Sequence, residues 1–178
     1  MKTELGIERI VFTAEQISAR VRELAADISS VYEEDDRLLV LGLLKGSFIF
    51  MADLVRAITV PHHMDFLVAS SYGSGTVSSG DVQLLYGASA SLEGRAVLLI
   101  EDIIDSGTTL AKLVPELESR GPSGVEICTL LHKRLDPPGT DARWVGFDAP
   151  NDFLVGYGLD YAEDFRHLPY VASLRSPA

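Results

Sequence analysis

Three short segments of this 178-residue chain are almost wholly apolar, and they constrain the fold more than any other feature. The segments cover residues 38–44, 97–100 and 125–131. Runs of this kind are typical of strands in a parallel sheet, because helices cover both faces of such a sheet. Segments with the apolar spacing of helices alternate with these runs. The sequence therefore predicts an α/β fold with a mostly parallel sheet.

The helical segments have recognisable boundaries. A first helix is expected over residues 13–30, where Thr13 and Gln16 have the spacing of a capping box. Further helices are expected in two places, 48–58 and 108–120. Pro115 lies inside the last of these, and because proline removes a helical hydrogen bond we expect a kink or a late start there.

The remaining strands are shorter or less regular. Residues 64–68 alternate imperfectly between apolar and polar side chains, which indicates another strand. The segment 70–80 is rich in glycine and serine, so we expect a mobile loop that joins two antiparallel strands. Further strands are expected in three places, 82–86, 144–147 and 153–157.

The composition limits the class of protein. A hydrophobic fraction of 47% is enough for a core and too high for a disordered chain, so we expect one domain over residues 1–178. The net charge of −11 would repel DNA or RNA, so no nucleic-acid partner is expected. No segment approaches the roughly 18 apolar residues of a membrane span, and the acidic start does not resemble a signal peptide. With one cysteine, Cys128, placed in an apolar run, we expect a cytoplasmic protein without disulfides or a membrane partner.

The densest chemical signal lies in residues 97–110, where an apolar strand leads directly into acids. Glu101 and Asp102 follow the strand, and Asp105 comes three residues later. Carboxylate oxygens can accept hydrogen bonds from the hydroxyls of a sugar diol, and they are hard ligands for Mg²⁺. These acids therefore predict a site for a hydroxylated ligand or a divalent cation.

A small polar turn follows the acids and opens the helix expected at 108–120. Its sequence is Ser106-Gly107-Thr108-Thr109, which combines hydroxyl groups with a flexible glycine. Backbone N–H groups at such a turn can converge on a phosphate, and the helix N-terminus adds a positive partial charge. The alternative is a plain helix N-terminus, at which acidic residues are stabilised by the helix dipole.

The run 97–110 resembles the phosphoribosyl-diphosphate (PRPP) signature of the type I phosphoribosyltransferases. Asp105 at the variable place of that signature is similar to the 6-oxopurine branch, the hypoxanthine-guanine phosphoribosyltransferases. Other segments resemble the same family in the same order, namely Leu44-Lys45-Gly46, Ser71-Tyr72, Lys133-Arg134 and 153–166. The resemblance covers roughly residues 10–170. It departs modestly at Ser47, where a second glycine is often seen, and at Thr108, where some members carry lysine.

The resemblance implies the type I phosphoribosyltransferase fold, a twisted and mostly parallel sheet flanked by helices. A small hood would be formed by the N-terminal segment and about residues 140–178. The implied reaction transfers the 5-phosphoribosyl group from PRPP to hypoxanthine or guanine, gives IMP or GMP, and releases pyrophosphate with Mg²⁺ as cofactor. Family members form homodimers or homotetramers, and the sequence does not choose between them.

The resemblance also implies a role for each matching residue around the sugar. Asp105 would be the catalytic proton acceptor at the purine imidazole ring. Glu101 and Asp102 would bind the ribose hydroxyls and, with Asp160, the metal ion. The 5′-phosphate of PRPP would be bound by the turn that comprises Asp105, Ser106, Gly107, Thr108 and Thr109.

Pyrophosphate and purine would be bound by residues from other parts of the chain. The implied pyrophosphate ligands are Lys45, Gly46 and Arg166, and the implied lid is Ser71-Tyr72. The implied purine-binding residues are Lys133, Phe153, Leu154 and Asp160, with Lys133 donating to the exocyclic O6.

Plainer alternatives exist for several of these residues. Asp105 could cap the following helix, and Glu101 and Asp102 could be solvated acids at a strand end. Lys133 could be an ordinary solvated cation, Phe153 a core residue, and Arg166 part of a surface ion pair of little energetic value.

Two other functions compete with the 6-oxopurine transferase. A regulatory member of the same fold would bind RNA, but it would need a basic face and would lack an acid at the Asp105 position. The second competing function is a transferase of the same fold that uses adenine, a pyrimidine or orotate. Lys133 with Phe153 favours a 6-oxopurine, because an ammonium group would meet an unpaired donor on adenine. The preference among hypoxanthine, guanine and xanthine stays open.

Overall fold

The computed structural model describes residues 6–71, 82–86, 90–134 and 141–175. The strands of this part are β1 (Ile7–Phe12), β2 (Leu39–Leu44), β3 (His63–Ser71), β4 (Val82–Tyr86), β5 (Ala96–Ile104), β6 (Gly124–His132), β7 (Trp144–Asp148), β8 (Leu154–Val155) and β9 (Val171–Leu174). The α-helices are α1 (Ala14–Ser29), α2 (Phe48–Ala57) and α3 (Thr108–Glu118). A short 3₁₀ helix covers Glu34–Asp36.

The main sheet has six strands in the order β4-β3-β2-β5-β6-β7. Five of them run parallel, and β4 pairs antiparallel with β3 at one edge. The predicted α/β class, the mostly parallel sheet and the antiparallel pair are therefore confirmed. Parallel neighbours end on the same side of a sheet, so β2, β5 and β6 deliver the residues that follow them to one edge.

Helices cover both faces of the main sheet, which explains why β2 and β5 are almost wholly apolar. Val40 and Leu98 belong to an apolar cluster that includes the buried faces of α1 and α2. Leu41 and Leu99, one residue further along each strand, belong to a second cluster with α3. The alternation places each strand between two apolar layers and fixes its register.

Several local predictions are also settled. The capping box of Thr13 and Gln16 is present at the start of α1, and Cys128 is buried. The late start expected for α3 is wrong, because the helix begins at Thr108 and continues through Pro115. The kink expected as the alternative stays a prediction. No helix in the described ranges is long and apolar enough to cross a membrane.

A second sheet joins the two ends of the described chain. Its three strands lie antiparallel in the order β1-β9-β8, and the sequence did not predict β1 or β9. The strand expected over residues 153–157 is reduced to the two residues of β8. The predicted hood includes about residues 140–178, but β7 within this range belongs to the main sheet, so the second sheet contains only β8 and β9 from it. The hood as a structural unit, with those limits, stays a prediction.

Candidate active site

A cavity of about 290 Å³ opens at the carboxyl ends of β2 and β5. Its walls come from three segments: the end of β2 with Gly46, the last residues of β5, and the turn that leads into α3. These segments meet because β2 and β5 are parallel neighbours. The predicted acids at 101, 102 and 105 and the polar turn 106–109 all line this one cavity.

Glu101 is a buried acid in the wall of the cavity, with only 8% of its surface exposed. Burial raises the pKa of the Glu101 carboxyl well above its ordinary value, and the adjacent charge of Asp102 raises it further. The backbone N–H of Asp102 donates to Glu101 Oε1 at 3.3 Å. The plainer interpretation of Glu101 as a solvated acid is therefore wrong. Two adjacent acids in a mostly buried cavity wall favour the binding of a cation or of a ligand with hydroxyl groups.

Gly46 lies directly against Asp102. A Cβ atom at position 46 would be 1.5 Å from Asp102 Oδ2, so only glycine fits between the loop and the carboxylate. The preceding Leu44–Lys45 peptide bond is cis. The close approach of Gly46 to Asp102 brings the backbone of the loop after β2 beside the acids of β5.

Lys45 does not line this cavity and pairs with Glu163 instead. Its Nζ lies 3.1 Å from Glu163 Oε2, and both side chains are about two-thirds exposed. Lys45 thus links the loop after β2 to the segment that follows β8.

The polar turn is built around Gly107, which is the N-cap of α3. Its φ of 71° lies in the left-handed region, which glycine adopts without steric cost. Ser106 Oγ and Thr108 Oγ1 lie 2.9 Å apart and share a hydrogen bond. The first N–H groups of a helix have no acceptor within the helix, so this end of α3 can bind an anion.

Asp105 pairs with Lys133 across the ends of β5 and β6. Lys133 Nζ donates to Asp105 Oδ2 at 3.1 Å, and the backbone N–H of Lys133 donates to the Ile104 carbonyl at 2.9 Å. The Lys133 side chain is only 12% exposed, so it is not a freely solvated cation. Asp105 makes no hydrogen bond to the described backbone of α3, so it does not cap that helix. The two residues predicted to act on the base therefore lie in contact.

Phe153 and Leu154 differ in their exposure. The Phe153 ring is 55% exposed and packs edge-on against the Tyr161 ring, with 5.5 Å between ring centroids. Its predicted alternative as a core residue is therefore wrong. Leu154 is buried in β8 and pairs with Ser173 of β9, so the position of its main chain is fixed.

Arg166 holds the segment after β8 in place. Its guanidinium donates to the Gly158 carbonyl at 2.8 Å and lies 2.8 Å from Asp160 Oδ1. Its side chain is 19% exposed, and its Nε is buried without a hydrogen-bond partner among the described residues. Arg166 is therefore not a solvated surface ion pair, because its guanidinium is mostly buried and bonded to the turn after β8.

The predicted metal ligands do not all converge. Within the described ranges, no three side chains of Asp, Glu, His or Cys are grouped so that they could hold a metal ion. Asp160 lies beside Arg166 and accepts a hydrogen bond from the Glu163 backbone at 2.8 Å. Glu101 and Asp102 fit a magnesium ion that completes its coordination with substrate oxygens and water, as is common for Mg²⁺. The participation of Asp160 stays a prediction.

Two further site residues fall at the limit of the described chain. Ser71 is the last residue of β3, and Tyr72 lies outside the described residues. The lid therefore stays a prediction. Sequence reasoning missed Glu163, which contacts both Lys45 and Arg166. No local signal pointed to it, because it is an acid in an exposed segment that acts on a residue 118 positions away.

Comparison with known proteins gives one consistent result. The family model for the phosphoribosyl transferase domain matches residues 10–162. A curated hypoxanthine-guanine phosphoribosyltransferase of Mycobacterium avium is 46% identical over 94% of this chain and 86% of its own length. A hypoxanthine phosphoribosyltransferase of Salmonella typhimurium is 48% identical over 89% and 90% of the two chains. The crystal structure of a hypoxanthine phosphoribosyltransferase from Staphylococcus aureus superimposes with a TM-score of 0.89 at 40% identity, over 95% of this chain and 92% of that one.

Proposed function

The chain belongs to the phosphoribosyl transferase domain family, within its hypoxanthine-guanine branch, and from this premise we propose which residues carry out the reaction. The enzyme transfers the 5-phosphoribosyl group of PRPP to hypoxanthine or guanine and releases pyrophosphate, which is a purine salvage reaction. The observation that carries the residue assignment is the Lys133–Asp105 contact at 3.1 Å. It puts a cation and a proton acceptor together at the margin of the polar turn.

The sugar phosphate binds at the cavity between β2 and β5. The 5′-phosphate lies on the turn 105–109, where backbone N–H groups of the α3 N-terminus and three hydroxyl side chains can donate to it. Glu101 and Asp102 accept hydrogen bonds from the ribose hydroxyls. Lys45, the Gly46 backbone and Arg166 bind the pyrophosphate. The contact between Gly46 and Asp102 supports a pyrophosphate site next to the ribose.

Asp105 takes the proton that the base loses. As the bond between C1′ and the pyrophosphate oxygen breaks, a purine nitrogen forms a bond to C1′, and the proton of the imidazole ring passes to a carboxylate oxygen of Asp105. Lys133 stabilises the Asp105 carboxylate while it is charged, because the two groups form an ion pair whose cation is mostly shielded from water.

Lys133 and the segment around β8 select the base. The Lys133 ammonium donates to O6 of hypoxanthine or guanine and would face the amino group of adenine without an acceptor. The exposed face of Phe153 stacks on the purine, and Tyr161 holds the Phe153 ring by an edge-on contact. Leu154 presents its main chain to the edge of the base, and Asp160 supports that edge through Arg166.

The donor set at Glu101 and Asp102 is consistent with magnesium. An acid whose pKa is raised by burial and by a second acid becomes easier to ionise when a divalent cation is adjacent. When bound, Mg²⁺ supplies positive charge that stabilises the departing pyrophosphate. Asp160 is proposed as a further metal contact through a substrate or a water molecule.

Three further features complete the proposal. Ser71-Tyr72 acts as a lid that excludes water from the activated sugar. The enzyme acts in the cytoplasm. It assembles as a homodimer or homotetramer.

A panel of bases tests this function. The purified protein is incubated with PRPP and Mg²⁺ and with hypoxanthine, guanine, xanthine, adenine, uracil or orotate, and nucleotide formation is followed by chromatography. The expected result is IMP and GMP formation with no AMP. Activity with adenine alone, or no product from hypoxanthine and guanine, would overturn the proposal. A parallel gel-shift with RNA at physiological salt tests the regulatory alternative, for which no complex is expected.

A further inference from the structure

Tyr157 makes a long-range hydrogen bond that none of the substrate-binding roles uses. Its hydroxyl donates to Asp53 Oδ2 at 2.6 Å, and the two residues are 104 positions apart. Tyr157 is 6% exposed and the Asp53 side chain is 38% exposed, so the bond is partly buried. Burial raises the pKa of the Tyr157 phenol, and the bond to Asp53 raises it further, so the hydroxyl remains a donor at physiological pH.

Asp53 belongs to the helix that begins at the proposed pyrophosphate loop. Ser47, the N-cap of α2, is fully buried, and its Oγ donates to the Leu43 carbonyl at 2.7 Å. Its own carbonyl accepts from the Met51 N–H at 2.8 Å, so the loop and the first turn of α2 form one continuous unit. Asp53 also pairs with the exposed Arg56 guanidinium on the same helix. The backbone of α2 therefore fixes the position of Asp53 relative to the loop.

Tyr157 belongs to the turn that carries the other half of the pyrophosphate site. Tyr157 has a φ of 51°, between two glycines that also have positive φ, and this conformation is unusual for a bulky residue. Backbone bonds anchor the turn: Tyr157 N–H donates to the Leu168 carbonyl at 2.8 Å, and Gly158 N–H donates to the Arg166 carbonyl at 3.0 Å. The Arg166 guanidinium returns to the Gly158 carbonyl at 2.8 Å. These hydrogen bonds fix the position of Arg166 relative to Tyr157.

The two halves also touch through their backbones. A Cβ atom at Gly158 would lie 2.0 Å from the Gly46 carbonyl oxygen, so the turn after β8 rests on the loop after β2. A second side-chain link between them, Lys45 to Glu163, is exposed on both sides and is worth little. The Tyr157–Asp53 bond is the stronger of the two links, because it is short, charge-assisted and partly buried.

We propose that Tyr157 and Asp53 are positioning residues for pyrophosphate. Their hydrogen bond sets the distance between the Lys45-Gly46 loop on the main sheet and Arg166 on the turn after β8. Neither residue touches substrate. The inference rests on the proposed function, because it concerns the binding of PRPP and pyrophosphate at that site.

The test is a double-mutant cycle read out by ligand affinity. Tyr157→Phe removes only the hydroxyl, and Asp53→Ala removes the acceptor. The Kd values of PRPP and of inorganic pyrophosphate are measured by calorimetry with Mg²⁺, and KM for hypoxanthine is measured at saturating PRPP. Each single variant is expected to weaken PRPP and pyrophosphate binding about tenfold, the effect of losing one positioning hydrogen bond. The double variant should lose no more than either single one, and KM for hypoxanthine should change less than twofold.

Controls separate positioning from general stability. Tyr170→Phe removes another tyrosine hydroxyl from the same region and should leave both affinities within twofold. Should Tyr157→Phe not fold, Asp53→Asn, which keeps an acceptor, carries the same comparison with a smaller loss. Unchanged PRPP affinity, equal losses for PRPP and hypoxanthine, or independent effects that multiply in the double variant would each overturn the inference. A wild-type protein without PRPP-dependent activity would instead overturn the proposed function.

Discussion

Lys133 and Asp105 form an ion pair with 3.1 Å between Nζ and Oδ2, although they follow different strands of the main sheet. β5 and β6 are parallel neighbours in which Ile104 pairs with His132, so the residues that follow each strand are adjacent in space. The contact therefore results directly from the strand order. A base that donates its ring proton to Asp105 and accepts at O6 from Lys133 would meet both residues along one edge.

Asp105→Asn should slow the chemical step and leave PRPP binding intact. The amide keeps the size of the side chain and can still accept from Lys133, but it cannot take up the proton. Turnover of hypoxanthine at saturating PRPP should fall by about 10²-fold or more, the range expected when a general base is lost. The Kd of PRPP should stay within threefold. Asp27→Asn on the exposed face of α1 is the control, and wild-type turnover in Asp105→Asn would remove this residue from its role.

Lys133→Ala should affect the base more than the sugar. Loss of a hydrogen bond from a charged donor should raise KM for hypoxanthine at saturating PRPP by roughly 10- to 100-fold. The Kd of PRPP should change less than threefold, because the Lys133 ammonium bonds to Asp105 and not to the hydroxyl and N–H donors at 106–109. Lys112→Ala, an exposed lysine of α3, is the matched control. Equal losses for base and PRPP would contradict a role in reading the base.

The main sheet and the centre of the site were predictable because their signals are local. Apolar runs identify β2, β5 and β6, and helical spacing identifies α1, α2 and α3. The chemistry of residues 101–109 lies in one contiguous run, and the edge of a parallel sheet where it would lie follows from the strand order.

The second sheet and the link between its turn and the main sheet were not predictable in the same way. β1 is mostly exposed and β8 has only two residues, so neither shows a clear alternation of apolar and polar side chains. Their partner β9 pairs with β1 from the opposite end of the chain, and no local sequence pattern predicts such a long-range pairing. Tyr157 lies in an apolar segment, and no local pattern connects it with α2. Its hydroxyl partner is 104 residues away, and its positive φ is set by the turn rather than by its own preference.

Gly46→Ala should damage the pyrophosphate site. The new Cβ would fall 1.5 Å from Asp102 Oδ2, so either the carboxylate or the loop must move. Since the affinity for PRPP depends on both, its Kd measured with Mg²⁺ should rise at least about tenfold, the effect of losing more than one charge-assisted contact. Gly124→Ala is a matched control, because a Cβ there meets nothing within 4 Å. Retention of wild-type affinity in Gly46→Ala would show that the loop can bind ligand without this close contact.

Glu101→Gln should raise the free energy of unfolding of the ligand-free protein, and this increase should become larger as the pH rises. Burial and Asp102 raise the pKa of Glu101 in the folded state above its ordinary value of 4.5. Above that value the unfolded chain has released the proton while the folded protein still holds it, so the free energy of unfolding of the wild type falls as the pH rises.

Glutamine has no proton to release, so this loss is absent from Glu101→Gln. Each unit by which the pKa of Glu101 is raised corresponds to about 1.4 kcal/mol in the free energy of unfolding of the wild type. Urea denaturation without Mg²⁺ or PRPP should show a small difference between variant and wild type near pH 4 and a larger one near pH 7.5. Glu118→Gln at the exposed end of α3 should show a difference that does not grow with pH. A Glu101→Gln protein that is less stable than wild type at pH 7.5 would mean that the charged carboxylate is stabilised in the fold, contrary to its burial beside Asp102.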